Sequence, residues 1–382
     1  MMEYKDINWK NLLFTIFYHL VALLGLPLYI LFMDESWWLI ACSMVLVFLS
    51  GVSITAGYHR LYSHRAYGAN KIVETVLLFF GTMAFQGSVF EWAHKHRLHH
   101  QHTDKDEDPH SIAQGFWHAH MGWMFKKHIP VEESVIPDLA QNQLLRFQHR
   151  HYIPLAIASS ALVVMCLGWI FNDFVGAFIA GFGLRVFVLN NCTFFINSLA
   201  HTWGERTYAR ELSAVDNFVM AFLTFGEGYH NYHHAFPSDY RNGIRWYHFD
   251  PTKWLISTLH MLGLTYELRK MDPSAIHRKI ILEDKKMFLE ALQQAMSEKK
   301  EDLERTVHTL SDHLCAKFAE LKQKREHYYL LKKQKAEKTL LKPIKGEIKM
   351  LKKDIREQWK QWLALSQQIM QGQSKKTHLS PG

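Results

Sequence analysis

Nine histidines in this chain recur in spacings that suit metal ligation. His230, His233 and His234 sit at i, i+3 and i+4 in the stretch Gly226-Glu227-Gly228-Tyr229-His230-Asn231-Tyr232-His233-His234. On a helix that spacing puts all three on one face, and neutral imidazole is the commonest metal ligand. His59 and His64 bracket a His-Arg-Leu-Tyr-Ser-His run, and His96, His99 and His100 lie in His-Arg-Leu-His-His. His201 closes Asn-Ser-Leu-Ala-His, which begins at Asn197. One such cluster is compatible with a solvated turn; several in one chain point to a shared metal site. Nine imidazoles exceed the four to six ligands of a single ion, so two ions are expected. A thiol-free imidazole set suits zinc, copper, iron or nickel. Structural zinc, with four ligands and often cysteine, fits poorly. Two irons fit oxygen activation, although the residue types alone leave the metal open.

The elements that must carry these histidines are apolar. Asn11–Met33 is an uncharged run of 23 residues, long enough to cross a bilayer. Asp34-Glu35-Ser36 interrupts it, and Trp37–Gly57 is a second run. Tyr152–Phe171 and Phe174–Ala200 are the third and fourth, joined at Asn172-Asp173; Arg185 and a set of asparagines interrupt the last. The spans are therefore set at about 11–33, 37–57, 152–171 and 174–200, as two hairpins. Ile72–Phe90 is shorter and contains Glu74 and Gln86. It reads as a helix lying on or dipping into the membrane interface. The two short outer turns lack Lys and Arg, which crowd the remaining segments. By the positive-inside rule both termini and the histidine-bearing loops face the cytoplasm. No small-residue cleavage site follows the first run, so no signal peptide is expected.

From Pro273 the composition shifts to Lys, Glu, Gln and Leu. Residues 271–382 hold 24 Lys and Arg against 15 Asp and Glu, a surplus of nine in a chain of net charge +8. The preceding part is thus close to neutral. Leu282–Lys342 carries apolar residues every three to four positions, which predicts long amphipathic, coiled-coil-like helices. Pro343 and Gly346 are expected to end them, with a shorter helix to about Gln371 and coil over Gly372–Gly382. The basic tail face suits anionic lipid or an acidic protein, or is simply solvated. The four cysteines are scattered and read as packed thiols, with no disulfide framework or Cys-x-x-Cys pair. A nucleic-acid partner is not expected.

The set HRLYSH (59–64), HRLHH (96–100), NSLAH (197–201) and GEGYHNYHHAFPSDY (226–240) resembles the membrane fatty acyl desaturases of the stearoyl-CoA Δ9 type. Their motifs run HRLWSH, HRAHH, NSAAH and GEGFHNYHH. The resemblance extends over roughly residues 10–270 and leaves the tail outside. It implies that His59, His64, His96, His99, His100, His201, His230, His233 and His234 hold two iron ions, with Asn197 binding one through water. It further implies an O2-dependent reaction that uses two electrons and leaves a cis double bond between C9 and C10 of a saturated acyl chain. Trp92, Gln86 and Thr193 match the residues that bend the family's acyl tunnel. Val47 and Gly51 match those at its closed end, and their small size implies room for a chain at least as long as stearoyl. Asn11, Lys126 and Lys127 match head-group contacts. One departure is that His94, Lys95 and Gly87 stand where the animal enzymes carry an Arg-Asp pair and an asparagine. Fatty acyl-CoA is the expected substrate, with acyl-lipid or acyl-carrier forms open. No His-Pro-Gly-Gly occurs, so electrons are expected from a separate carrier such as cytochrome b5 or ferredoxin.

The expected architecture is an all-α integral membrane protein. Four transmembrane helices carry a cytosolic helical domain with a histidine-rich diiron site over residues 1–270, and residues 271–382 form a basic helical tail. Its location is the endoplasmic reticulum or a bacterial inner membrane. Two other functions are weighed. A related membrane diiron hydroxylase shares the first chemical steps, but the matched bend residues favour desaturation. A metal transporter places ligands inside its spanning helices, whereas these histidines cluster at one end of the spans.

Overall fold

Residues 1–270 are built on nine principal helices: α1 (Trp9–Phe32), α2 (Trp37–Ser63), α3 (Lys71–Thr82), α4 (Val89–His102), α5 (Gln143–Arg150), α6 (Tyr152–Phe171), α7 (Phe174–His201), α8 (His230–Ala235) and α9 (Pro251–Met261). The computed structural model describes residues 7–33, 35–127, 129–294 and 300–377, with side chains through 371. Met1–Asp6, Asp34 of the expected first turn, and the last residues of the expected terminal coil lie outside them. A two-residue antiparallel ladder pairs Gly68–Ala69 (β1) with Thr265–Tyr266 (β2), tying the start of α3 to the chain after α9.

Four helices, α1, α2, α6 and α7, are long and apolar enough to cross a membrane. Only 22% of the apolar stretch is buried in α1 and in α6, against 56% in α2 and 44% in α7. A helix that is apolar all round yet exposed needs lipid around it. So α2 and α7 form the inner pair, packed on each other, and α1 and α6 face outward. At the outer ends, Tyr29 Oη donates to Asp173 Oδ2 (2.5 Å) and accepts from the Ser36 amide (3.1 Å), stitching the two hairpins together. Trp37, Trp38 and Trp169 are exposed there, as interfacial aromatics are. Arg185, the charge that interrupts the fourth run, is fully buried. Its Nε donates to Gly181 O (2.7 Å), and its two Nη atoms donate to Met83 O and Ser160 Oγ. A guanidinium among apolar helices persists only when its donors are used, and here it anchors the carbonyl end of α3.

The apolar piece Ile72–Phe90 is not one helix. α3 ends at Thr82, and α4 starts anew at Ser88, whose side chain and Glu91 form a reciprocal capping box. Phe85 (φ 58°) and Gly87 (φ 93°) turn the chain between them. α3 itself buries Val73, Leu77 and Leu78 and exposes Ile72 and Val76, the two-faced pattern of an interfacial helix.

Residues 271–382 form three helices, α10 (Pro273–Gln293), α11 (Lys300–Lys333) and α12 (Lys338–Thr377). They pack an apolar seam of Ile281, Phe288, Leu292, Val307, Leu314, Phe318, Leu321, Leu351, Ile355, Trp362, Leu365 and Ile369. Trp362, fully buried, donates its indole N–H to Asp284 (3.2 Å). Pro343 and Gly346 do not end a helix as expected: α12 runs through both and continues to Thr377. Pro343 lies in the second turn, where its missing N–H removes one early hydrogen bond. The break falls instead at 334–337, where Lys335 takes a left-handed φ of 55°.

Candidate metal centre

The inner end of α2 departs from α-helical pitch. From Ile54 to Ser63 it widens, and the His64 amide donates to the His59 carbonyl five residues back (3.1 Å). On an ordinary α-helix, residues five apart point roughly 140° from one another. The wide turn brings both imidazoles to one side, a use that such turns often serve at functional sites. α4 presents His96, His99 and His100 at the same i, i+3, i+4 spacing as α8 presents His230, His233 and His234. His201 ends α7.

Two backbone features bring α8 back to the helix ends. Gly226 (φ 102°) adopts a conformation open to glycine, with the Asp250 Cα 2.9 Å from where a Cβ would stand, and a Cβ on Gly228 would collide with the Met220–Ala221 backbone. These glycines are required by close approach of chain to chain.

The nine histidines converge in two groups. The ligand nitrogens of His59, His64, His96, His100 and His233 lie within 4.8 Å of one another, as do those of His99, His201, His230 and His234. Facing Nε2 atoms stand close: His64–His96 2.7 Å, His100–His233 2.9 Å, His59–His233 3.0 Å, His201–His230 3.1 Å and His99–His234 3.2 Å.

The far nitrogens of three of these rings are held by hydrogen-bond partners. Glu227 faces His59 Nδ1 (2.9 Å) and Asp108 faces His99 Nδ1 (2.9 Å). A carboxylate at Nδ1 holds the proton there and turns the Nε2 lone pair inward. His201 Nδ1 meets Ser213 Oγ (2.6 Å), which donates to Asp104. Converging lone pairs repel unless cations lie between them, so the residues fit a pair of metal ions. Burial first, then the charge of neighbouring imidazoles, hold His64, His96, His100, His230, His233 and His234 well below the ordinary imidazole range. They are therefore neutral, as metal ligands must be.

The carboxylates behind the histidines are themselves held. Arg60, fully buried, bridges Glu227 (2.9 Å) and Asp250 (3.0 Å), and Asn242 donates to Glu227 (2.6 Å). Burial alone would raise Asp108, but its hydrogen bond with His99 outweighs it and brings it down to about 2. Sequence reading passed over Asp104, Asp108, Ser213, Glu227 and Asp250 as partners. Asp104 and Asp108 follow directly on the second histidine motif and Glu227 precedes the last, so proximity was the available signal.

Two cavities meet at the centre. The wider, about 570 Å³, is lined by Lys10, Asn11, Gln86, Lys95, Arg150 and Asn197, among others. The other, about 40 Å³, is lined by Gly51, Ile54, Ile196, Phe225 and His230, among others. Trp92, His96, Thr193 and Asn197 border both. At this junction Gln86 Nε2 donates to Thr193 Oγ1 (2.8 Å), and the Trp92 indole N–H points to Gln86 Oε1 (3.4 Å). Asn11 donates to the Met124 carbonyl (3.0 Å) beside the wide cavity. Lys126 and Lys127 are exposed and line neither cavity; Lys126 pairs with Gln114 (2.9 Å). Lys95 does line the wide cavity, its ammonium 5.4 Å from the Trp123 ring centre. Gly51 lines the small cavity, whereas Val47 is buried in the core and lines neither.

A fatty acid desaturase family model matches residues 35–269. Acyl-CoA desaturase 1 of Saccharomyces cerevisiae is 45% identical over 242 residues, 62% of this chain and 47% of that protein. Delta(9)-fatty-acid desaturase fat-7 of Caenorhabditis elegans is 36% identical over 288 residues, 73% of this chain and 84% of that one. Stearoyl-CoA desaturase of Homo sapiens is 35% identical over 280 residues, 71% and 77% of the respective chains. The chain spans 47% of the Saccharomyces cerevisiae protein and 59% of another relative, the probable acyl-CoA desaturase of Schizosaccharomyces pombe.

Proposed function

The chain belongs to the fatty acid desaturase family, and from that premise we propose that it introduces a cis double bond at C9 of a saturated fatty acyl-CoA. The observation that carries this is a pair of cavities that share Trp92, His96, Thr193 and Asn197 and lie against the converging histidines. In balance, an acyl chain, O2, two electrons and two protons give the unsaturated chain and two waters. The five-histidine group would hold one iron and the four-histidine group the other, with Asn197 reaching one of them through water. Bound there, the two irons supply the oxidising power that removes hydrogen from an unactivated methylene.

The protein's own part is positioning. The acyl chain runs from the wide cavity past Trp92, Gln86 and Thr193 into the small one. The hydrogen-bonded trio fixes the bend, so the chain passes the centre in a folded conformation that favours cis geometry. The apolar walls exclude water from the reacting carbons. Glu227, Asp108 and Ser213 keep the imidazoles oriented and their Nδ1 protons in place. Lys10, Lys95 and Arg150 at the wide cavity give an anionic head group a cationic mouth, with Lys95 standing where the animal pattern has an acid. Both termini and the centre face the cytoplasm, in keeping with the placement of Lys and Arg.

Expression in a host that lacks its own desaturase tests the reading, with double-bond position read by mass spectrometry. A cis-Δ9 product from palmitic or stearic acid is expected. A hydroxy acid in its place would assign the chain to the hydroxylating relatives, and no oxidised product would overturn the reading.

A further inference from the structure

The small cavity is lined by an aromatic ring, Phe225, far from α2 in the chain. Gly51, eight residues before His59, leaves a notch on α2, and the notch is filled. A Cβ built on Gly51 falls on the edge of the Phe225 ring. Phe225 lines the small cavity and meets Phe48 edge-on (centroids 5.9 Å apart).

Its backbone is tightly held. Phe225 takes a left-handed φ of 56°, rare for a bulky residue. Its carbonyl accepts from Thr252 Oγ1 (3.0 Å), which also contacts Thr55 Oγ1 (2.5 Å). Gly226 follows directly, with Asp250 against it. An unfavourable backbone conformation held by surrounding contacts is a signature of a functional position. Here its effect is to seat a phenyl ring against Gly51 in the lining of the cavity.

We propose that Phe225, seated in the Gly51 notch, is the floor of the acyl tunnel and sets the longest chain the enzyme accepts. This rests on the desaturase reading above. The small cavity is narrow, about 40 Å³, so its walls stand close against anything that enters it. The methyl-end half of a chain bent at C9 must fit between the bend and this ring. Gly51 is small in order to seat the ring; it does not itself provide the space for the chain.

The test feeds palmitic, stearic, arachidic and behenic acids to a desaturase-deficient host expressing the full chain or its variants. The monounsaturated products are quantified by length. F225A and the gentler F225L are expected to raise the ratio of C20 to C16 product about tenfold or more, since an apolar pocket discriminates by that much per methylene. F225W is expected to lower the stearic-to-palmitic product ratio. G51A alone is expected to lose activity, and G51A/F225A to regain it, because the added methyl then takes the vacated ring space. An active wild type whose length ratios stay within twofold in both F225A and F225L overturns this proposal and leaves the desaturase reading standing. Should F225A fail to accumulate, F225L decides. Absence of any monounsaturated product from wild type overturns both.

Discussion

Around the histidine centre the buried side chains are polar and charged: Arg60, Glu227, Asp250, Asp108 and the histidines themselves. In residues 271–382 the buried set is Phe288, Leu314, Phe318, Trp362 and their apolar neighbours, with Glu283, paired with Lys279, the one buried charge among the described residues. Both units are helical, but different forces organise them. The tail is held by burial of an apolar seam, which tolerates volume-conserving exchange. The centre is held by a network in which every charge has a partner, and removing one partner strands another. A region specialised for chemistry thus depends on specific partners, and a region specialised for packing on filled volume.

The sharpest way to break that contrast is at the centre. His233 contacts His59 and His100 within one group. H233A is expected to abolish activity and to lower the metal content per chain, with the protein still in the membrane fraction. Elemental analysis of purified protein checks it, and two ions with full activity in H233A would remove the centre from the mechanism.

Next is acidity. The six histidines named above have folded-state pKa values below the free value. As pH falls through about 6.5 the unfolded chain takes up protons that the folded chain refuses, so folded stability drops. The loss reaches up to about 1.4 kcal/mol per histidine per pH unit. Metal-free protein should therefore melt at markedly lower temperature at pH 5.5 than at 7.5. Amide exchange should show residues 1–270 opening while the tail helices stay protected; equal loss in both would erase the distinction.

A smaller effect probes the tail alone. Leu314 is fully buried in the seam, and L314A is expected to cost about 2–5 kcal/mol. Local exchange of the tail should accelerate with metal content unchanged. At the centre again, E227Q keeps the shape but removes the charge that orients His59. It is expected to weaken metal binding about 10–100-fold, measured by chelator competition, whereas unchanged affinity would make Glu227 only a structural partner of Arg60. Last, K324A removes an exposed contact to Glu347 between tail helices. It should leave tail protection unchanged, because exposed pairs are screened.

Local chemistry accounts for what is legible along the chain. Length and hydropathy specify the four membrane-length helices, and i, i+3, i+4 spacing specifies histidines sharing a face in α4 and α8. The family was also legible, because its motifs are dense in residues whose chemistry is hard to replace. Local pattern was less reliable where neighbours overrule it. Pro343 stands inside α12 because packing on α11 outweighs one lost hydrogen bond.

The rest depended on residues far apart in the chain. Division of nine histidines into five and four requires the widened turn at His59–His64 and the return of α8 over the glycines at 226 and 228. Lys95, rather than Lys126 and Lys127, lines the wide cavity, which depends on which helix faces it. Gly51 read alone is a vacancy; only the fold brings Phe225, 174 residues later, into it. Spacing along a helix reports which side chains share a face, but close packing between helices decides what fills the space in front of that face.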